Sequence, residues 1–166
     1  MRSYNEGKPS MTESQITDVW ERMISAEVRS LYFADLTGRY SRRKQWITGL
    51  SFFLSSAAAA ALGAKAPTWA PLSMAALVLS AYSMSGGLDR KVQTMAKLHY
   101  SWLQLATDYD HLSNHFYEDG AERELARQVN GEKDLSQLAS TEAPYDPPRM
   151  AKWEDHVFQQ HGLTTA

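Results

Sequence analysis

The chain has 166 residues, 22% of them charged, a formal net charge of -2 and no cysteine. That length suits one compact domain, and the missing thiols exclude disulfides, thiolate metal sites and a cysteine nucleophile. Charge is unevenly spread. Residues 1–44 hold eight Lys/Arg and six Asp/Glu, the stretch from Gln45 to Leu88 holds Lys65 alone, and the tail from Glu118 holds five Lys/Arg and ten Asp/Glu.

Residues 1–11 are polar, lack the apolar core of a signal peptide and are expected to be flexible. A helix is predicted from there. Thr12-x-x-Gln15 spells a capping box, with Met11 and Ile16 as a hydrophobic staple. Ile16, Val19, Trp20, Met23, Leu31 and Ala34 follow an imperfect helical period. This helix is expected to end near Gly38 or to continue into the apolar run that follows.

Two apolar runs come next, at about 45–64 and 68–88, separated by Lys65-Ala66-Pro67. Each is about 20 residues, or about 30 Å of helix, the thickness of a bilayer core. So short a link makes them antiparallel neighbours, and Pro67 and Pro71 suit a loop and a first helical turn. Arg39, Arg42, Arg43 and Lys44 precede the first run, and Arg90, Lys91 and Lys97 follow the second. Cations stay on the cytoplasmic side, so both termini are expected there. The first run is rich in Ala and Ser, which keeps its insertion energy modest. The competing reading is a soluble bundle with two buried helices.

Thr48, Ser51 and Ser55 share one side of the first run, opposite Trp46, Leu50, Phe53 and Leu54. Ser73, Ser80 and Ser83 share a face of the second. Small and hydroxylated faces let membrane helices pack closely. They could equally line a water-filled pore, which one hairpin cannot enclose and which would need a homo-oligomer, with a tetramer as the working number. Arg39, Tyr40, Arg42, Arg43 and Lys44 form a cluster suited to lipid headgroups and topology, or to gripping a phosphate and stacking a base.

After the hairpin, Val92, Met95, His99, Trp102, Ala106, Tyr109 and Phe116 fall on a heptad stripe. Such a stripe would build a collar against the N-terminal helix, a symmetry mate, or both. Within it, His99 reads as a packed or register-setting residue. A cytoplasmic tail, 119–166, is expected to hold a short charged helix (Ala121 to Val129), a turn at Asn130-Gly131, a linker over 140–148 and a last helix over 149–161 stopped by Gly162. Asp108, His111, His115 and Asp119 recur at helical metal-ligand spacing, but no other helix offers a completing ligand, so no metal and no cofactor is expected. There is no GxSxG, no phosphate loop and no GxGxxG, and the chain does not read as an enzyme.

The layout is a cytoplasmic helix, the basic stretch Arg39-Tyr40-Ser41-Arg42-Arg43, a two-span hairpin with a minimal loop, and a long second cytoplasmic helix. Over residues 12–118 it resembles the SLATT domain, a two-transmembrane effector domain of bacterial antiphage defence systems. The resemblance rests on architecture and spacing, and the tail from Asp119 lies outside it. It implies an all-α, homo-oligomeric protein of the bacterial inner membrane that forms an ion-conducting pore. It also implies a nucleotidyltransferase-like partner whose nucleotide or oligonucleotide product controls the pore. The alternative is a non-conducting membrane anchor that recruits a cytoplasmic partner through its helices.

Overall fold

The computed structural model describes residues 11–63, 78 and 87–163, and at 54, 55 and 57–63 the backbone alone. The fold is all-α. Its elements are α1 (Glu13–Gly63), α2 (Leu88–Asn114), α3 (Ala121–Glu142) and α4 (Pro147–Gln160). Contacts divide the chain into two compact units, Met1–Ala34 with Met95–Ala166, and Asp35–Thr94.

The start of α1 is the expected capping box. The Thr12 backbone N–H donates to Gln15 Oε1 at 2.7 Å, and Gln15 N–H points back to Thr12 Oγ1 at 3.4 Å. Met11, the residue read as one half of the hydrophobic staple, is 1% exposed. The helix does not stop at Gly38, which lies inside it.

In the first unit α1 supplies Val19, Met23, Ala26 and Tyr32 to the core, and α2 supplies Met95, Leu98, Trp102 and Tyr109, all at most 5% exposed. The heptad stripe of α2 is therefore buried by this chain itself. Val92 and Phe116, at its two ends, are half-buried. His99 lies in that stripe, and its Nδ1–H donates to the Ser30 carbonyl at 2.9 Å, locking the register of α2 on α1 as a buried polar residue does.

The tail, 119–166, belongs to the first unit and departs from expectation in the length of its helices. The turn expected at Asn130-Gly131 does not form, and α3 runs through it as a single helix to Glu142. Gly in a helix costs about 1 kcal/mol relative to Ala. Continuity offsets this by bringing Ala121, Leu125 and Gln128, all buried, onto the same side as Glu132, whose carboxylate meets Arg22 of α1.

Of the linker expected over 140–148, residues 143–146 are the part outside helices. Asp146 caps α4, accepting from Arg149 N–H, with Pro147 and Pro148 in the first turn, where their missing donors cost nothing. Gly162 takes φ 70° just past the end of α4, as the sequence led us to expect. Two bonds pin the connection. Tyr32 Oη donates to the Pro144 carbonyl and accepts from Asp146 N–H at 3.2 Å. At the other end of α4, His161 Nε2 lies 2.8 Å from Glu27 Oε2. Residue 146 thus sits at the level of Tyr32 and residue 161 at the level of Glu27, so α4 runs antiparallel to α1.

Tyr32→Phe deletes both bonds to the connection and keeps the ring. It should lower stability by about 1–2 kcal/mol, seen as an earlier midpoint in thermal unfolding followed by circular dichroism. An unchanged midpoint would mean that other contacts hold residues 143–146.

Candidate membrane interface and the polar core of the first unit

The second unit carries the basic cluster and the start of the first apolar run, both on α1. Arg39, Arg42, Arg43 and Lys44 are exposed and Tyr40 is half-buried. Lys44 Nζ pairs with Asp89 Oδ1 at the start of α2. Immediately beyond the cluster the exposed side chains become bulky and apolar. Trp46 is 80% exposed, Phe52 76%, Phe53 69% and Leu50 49%. On one side of this stretch, Arg42, Gln45, Trp46, Gly49, Leu50 and Phe53 line a hollow of about 470 Å³. Their spacing of three and four places them on one helical face, and Gly49, with no side chain, forms the floor.

The hydroxyl side is less uniform than the sequence pattern suggested. Thr48 is exposed and Ser51 half-buried. Phe52 lies about 40° from Thr48 around the helix and is itself exposed, so a large apolar ring borders the hydroxyl stripe. The Ser55 side chain, Ser73, Ser80 and Ser83 lie outside the described residues, as does nearly all of the expected second span. Among the described residues, no helix is long and apolar enough to cross a membrane. The alanines and serines that follow Phe53 explain why the apolar signal of this run is shallow, since the large hydrophobes are concentrated in its first half.

In the first unit the polar side chains converge on one carboxylate. Glu132 Oε2 accepts from Arg22 Nη1 at 2.8 Å and from Tyr109 Oη at 3.1 Å, and Glu132 Oε1 stands 3.9 Å from Arg29 Nη1. Arg29 also donates to Ser136 Oγ at 2.9 Å, and its guanidinium lies 4.6 Å from the centre of the Trp102 ring. The hydrogen bond from Arg22 to Asp18 raises the guanidinium pKa well above its ordinary value. Partial burial opposes that rise, and Glu132 adds to it. The Tyr109 phenol is also pushed far up, first by burial, then by the negative charge of Glu132 and its hydrogen bond, with Arg22 opposing. This arrangement holds helices together and offers no activated nucleophile.

Sequence reasoning singled out Met95, His99, Trp102, Ala106 and Tyr109 as collar residues, and the structure gathers them in this core, where they face α1 and α3. The role of Glu132 was missed. Its only signal in the sequence is a carboxylate beside a suspected turn, and recognising its partners requires knowing that α3 continues. His111 and His115 stack with ring centres 4.1 Å apart, and His115 Nδ1–H donates to the His111 carbonyl. Among the described residues, no three His, Asp or Glu side chains gather as metal ligands would.

The raised phenol makes stability pH-dependent with a definite sign. The folded state keeps a proton that the unfolded chain releases above about pH 10. The stability contributed by Tyr109 is therefore fully present below that pH and is lost as pH climbs toward the raised folded value. Tyr109→Phe should cost about 1 kcal/mol near neutrality by removing the bond to Glu132, and should lose less stability than the wild type between about pH 9 and 11. Parallel plots of Tm against pH for the two proteins would contradict this.

No protein family, curated protein or solved structure matches this chain.

Proposed function

We propose that this chain is a membrane effector of bacterial antiphage defence, which oligomerises into an ion-conducting pore and depolarises or permeabilises the inner membrane. The observation that carries the reading is the abrupt change of exposed surface along α1. Four exposed cations, Arg39 to Lys44, are followed at once by Trp46, Leu50, Phe52 and Phe53, exposed over a stretch free of charge. Isolated exposed hydrophobes are ordinary, but a contiguous band of this kind marks a surface that something apolar covers. Aromatic rings next to cations suit the headgroup boundary, with the charges in the cytoplasm. The resemblance in layout to the SLATT domain supplies the remaining parts of the proposal. These are a homo-oligomer, taken as a tetramer, and control by a nucleotidyltransferase-like partner or its nucleotide or oligonucleotide product.

Pore lining is assigned to the hydroxyl faces, Thr48, Ser51 and Ser55 of the first run and Ser73, Ser80 and Ser83 of the second. Arg39, Tyr40, Arg42, Arg43 and Lys44 form the cytoplasmic mouth, where headgroups or a phosphate-bearing signal would bind. A second reading is a non-conducting anchor that recruits a cytoplasmic partner. It is favoured by the burial of Met95, Trp102 and Tyr109 inside the chain, which leaves the strongest apolar stripe of α2 unavailable to a symmetry mate.

Ion flux from liposomes containing the purified chain separates the two. A pore leaks, and Ser51→Phe should cut the leak severalfold by placing a ring in the path. A tight membrane with the chain firmly inserted would favour the anchor. Trp46→Ser with Phe53→Ser should reduce the fraction recovered with vesicles in flotation. Full recovery of the double variant would remove the aromatic band from the argument.

A further inference from the structure

The first unit contains a second concave surface, opposite in electrostatic character to the basic cluster. Between α1 and α4 lies a trough of about 730 Å³. One wall is the α1 stripe Trp20, Ile24 and Val28, and the other is the α4 stripe Met150, Glu154 and Phe158. Each stripe repeats every four residues, so each presents one helical face. The stripe from Trp20 to Val28 and the stripe from Met150 to Phe158 are each about 12 Å long, and the two helices run antiparallel. Ile24 and Val28 form the floor, each 6% exposed, while Trp20, Tyr145 and Leu163 stand at the margins, 39%, 79% and 41% exposed. Two parallel helical faces with an apolar floor make the groove into which a third amphipathic helix packs.

The charges select the occupant. Glu21 and Glu154 line opposite walls of the trough, and both are exposed. Among the described residues that line it, the one cation, Arg29, already donates to Ser136 and faces Glu132 and the Trp102 ring. The trough therefore presents two carboxylates around an apolar floor. Anionic lipid, nucleic acid and acidic helices meet like charge there, and an amphipathic helix with lysines or arginines beside its apolar face meets opposite charge.

We propose that this trough is a docking site for a basic amphipathic helix of a partner protein. The helix lays its apolar anchors along Ile24 and Val28 and its cations against Glu21 and Glu154. This surface does not depend on the membrane reading above, because all of its residues lie in the first unit.

The test uses the purified full chain in zwitterionic detergent, which holds it in solution whether or not it inserts into a bilayer, with empty micelles subtracted, and fluorescence anisotropy of two labelled 14-residue helical peptides. Both carry leucine along one face; one has lysine and the other glutamate at the flanking positions. The wild type should bind the lysine peptide at least about tenfold more tightly than the glutamate peptide. Glu21→Lys combined with Glu154→Lys should reverse that preference. Both side chains are exposed, so the double variant should keep the wild-type circular dichroism and melting temperature. A lysine peptide that binds no better to the chain in detergent than to empty micelles would overturn the proposal. So would equal binding of that peptide to the wild type and the double variant, or a wild-type preference for the glutamate peptide.

Discussion

One carboxylate organises the first unit. Glu132 is brought under α1 and α2, where it accepts from Arg22 of one and Tyr109 of the other and stands close to Arg29. Taking a carboxylate this far from water is unfavourable unless cations and donors surround it. Those partners come from two helices, α1 and α2, and Glu132 itself belongs to α3, so it is satisfied only when the three hold their mutual register. The apolar core alone, built from Val19, Met23, Met95 and Trp102, is non-directional and would tolerate slippage that the carboxylate does not. His99 on the Ser30 carbonyl adds a second directional constraint between α1 and α2.

The same constraint explains why α3 is longer than its sequence invites. Asn130-Gly131 is a strong turn signal taken locally. A turn there would swing Glu132 away from Arg22 and Tyr109, leaving Arg22 with Asp18 alone and the Tyr109 hydroxyl without its acceptor, at about 1–3 kcal/mol for the orphaned phenol. The helical cost of one glycine is smaller than that, so tertiary contacts decide the conformation. Ser136, one turn further on, then reaches Arg29, and Tyr32 captures the connection to α4.

The two units differ in how they treat apolar surface. In the first, large side chains of α1 and α2 such as Met23, Tyr32, Met95, Trp102 and Tyr109 are buried. In the second, Trp46, Phe52 and Phe53 stand open beside a cluster of cations. The heptad stripe of α2 is consumed within the chain, while the aromatic band of α1 stays exposed. The acidic trough along α1 and α4 is a third kind of surface, apolar in its floor and negative at its edges.

Much of the local architecture could be read from the residues. The Thr12–Gln15 cap, the stripe from Met95 to Tyr109 and the glycine that closes α4 each follow from backbone donors, helical period or φ at a single position. These are short-range effects, and the sequence by itself determined them, along with the all-α class and the charge-free run after Lys44. What lay beyond it was partnership: which surface covers the stripe of α2, that residues 119–166 join the same unit, that α3 continues, and that Glu132 is its polar centre. Those outcomes depend on groups more than 60 residues apart in the chain, such as Ser30 with His99 and Arg22 with Glu132. A helical period shows that a face will be buried, but it carries no information about which surface comes to cover it. Only packing in three dimensions, where every buried charge and donor must find its complement, decides that.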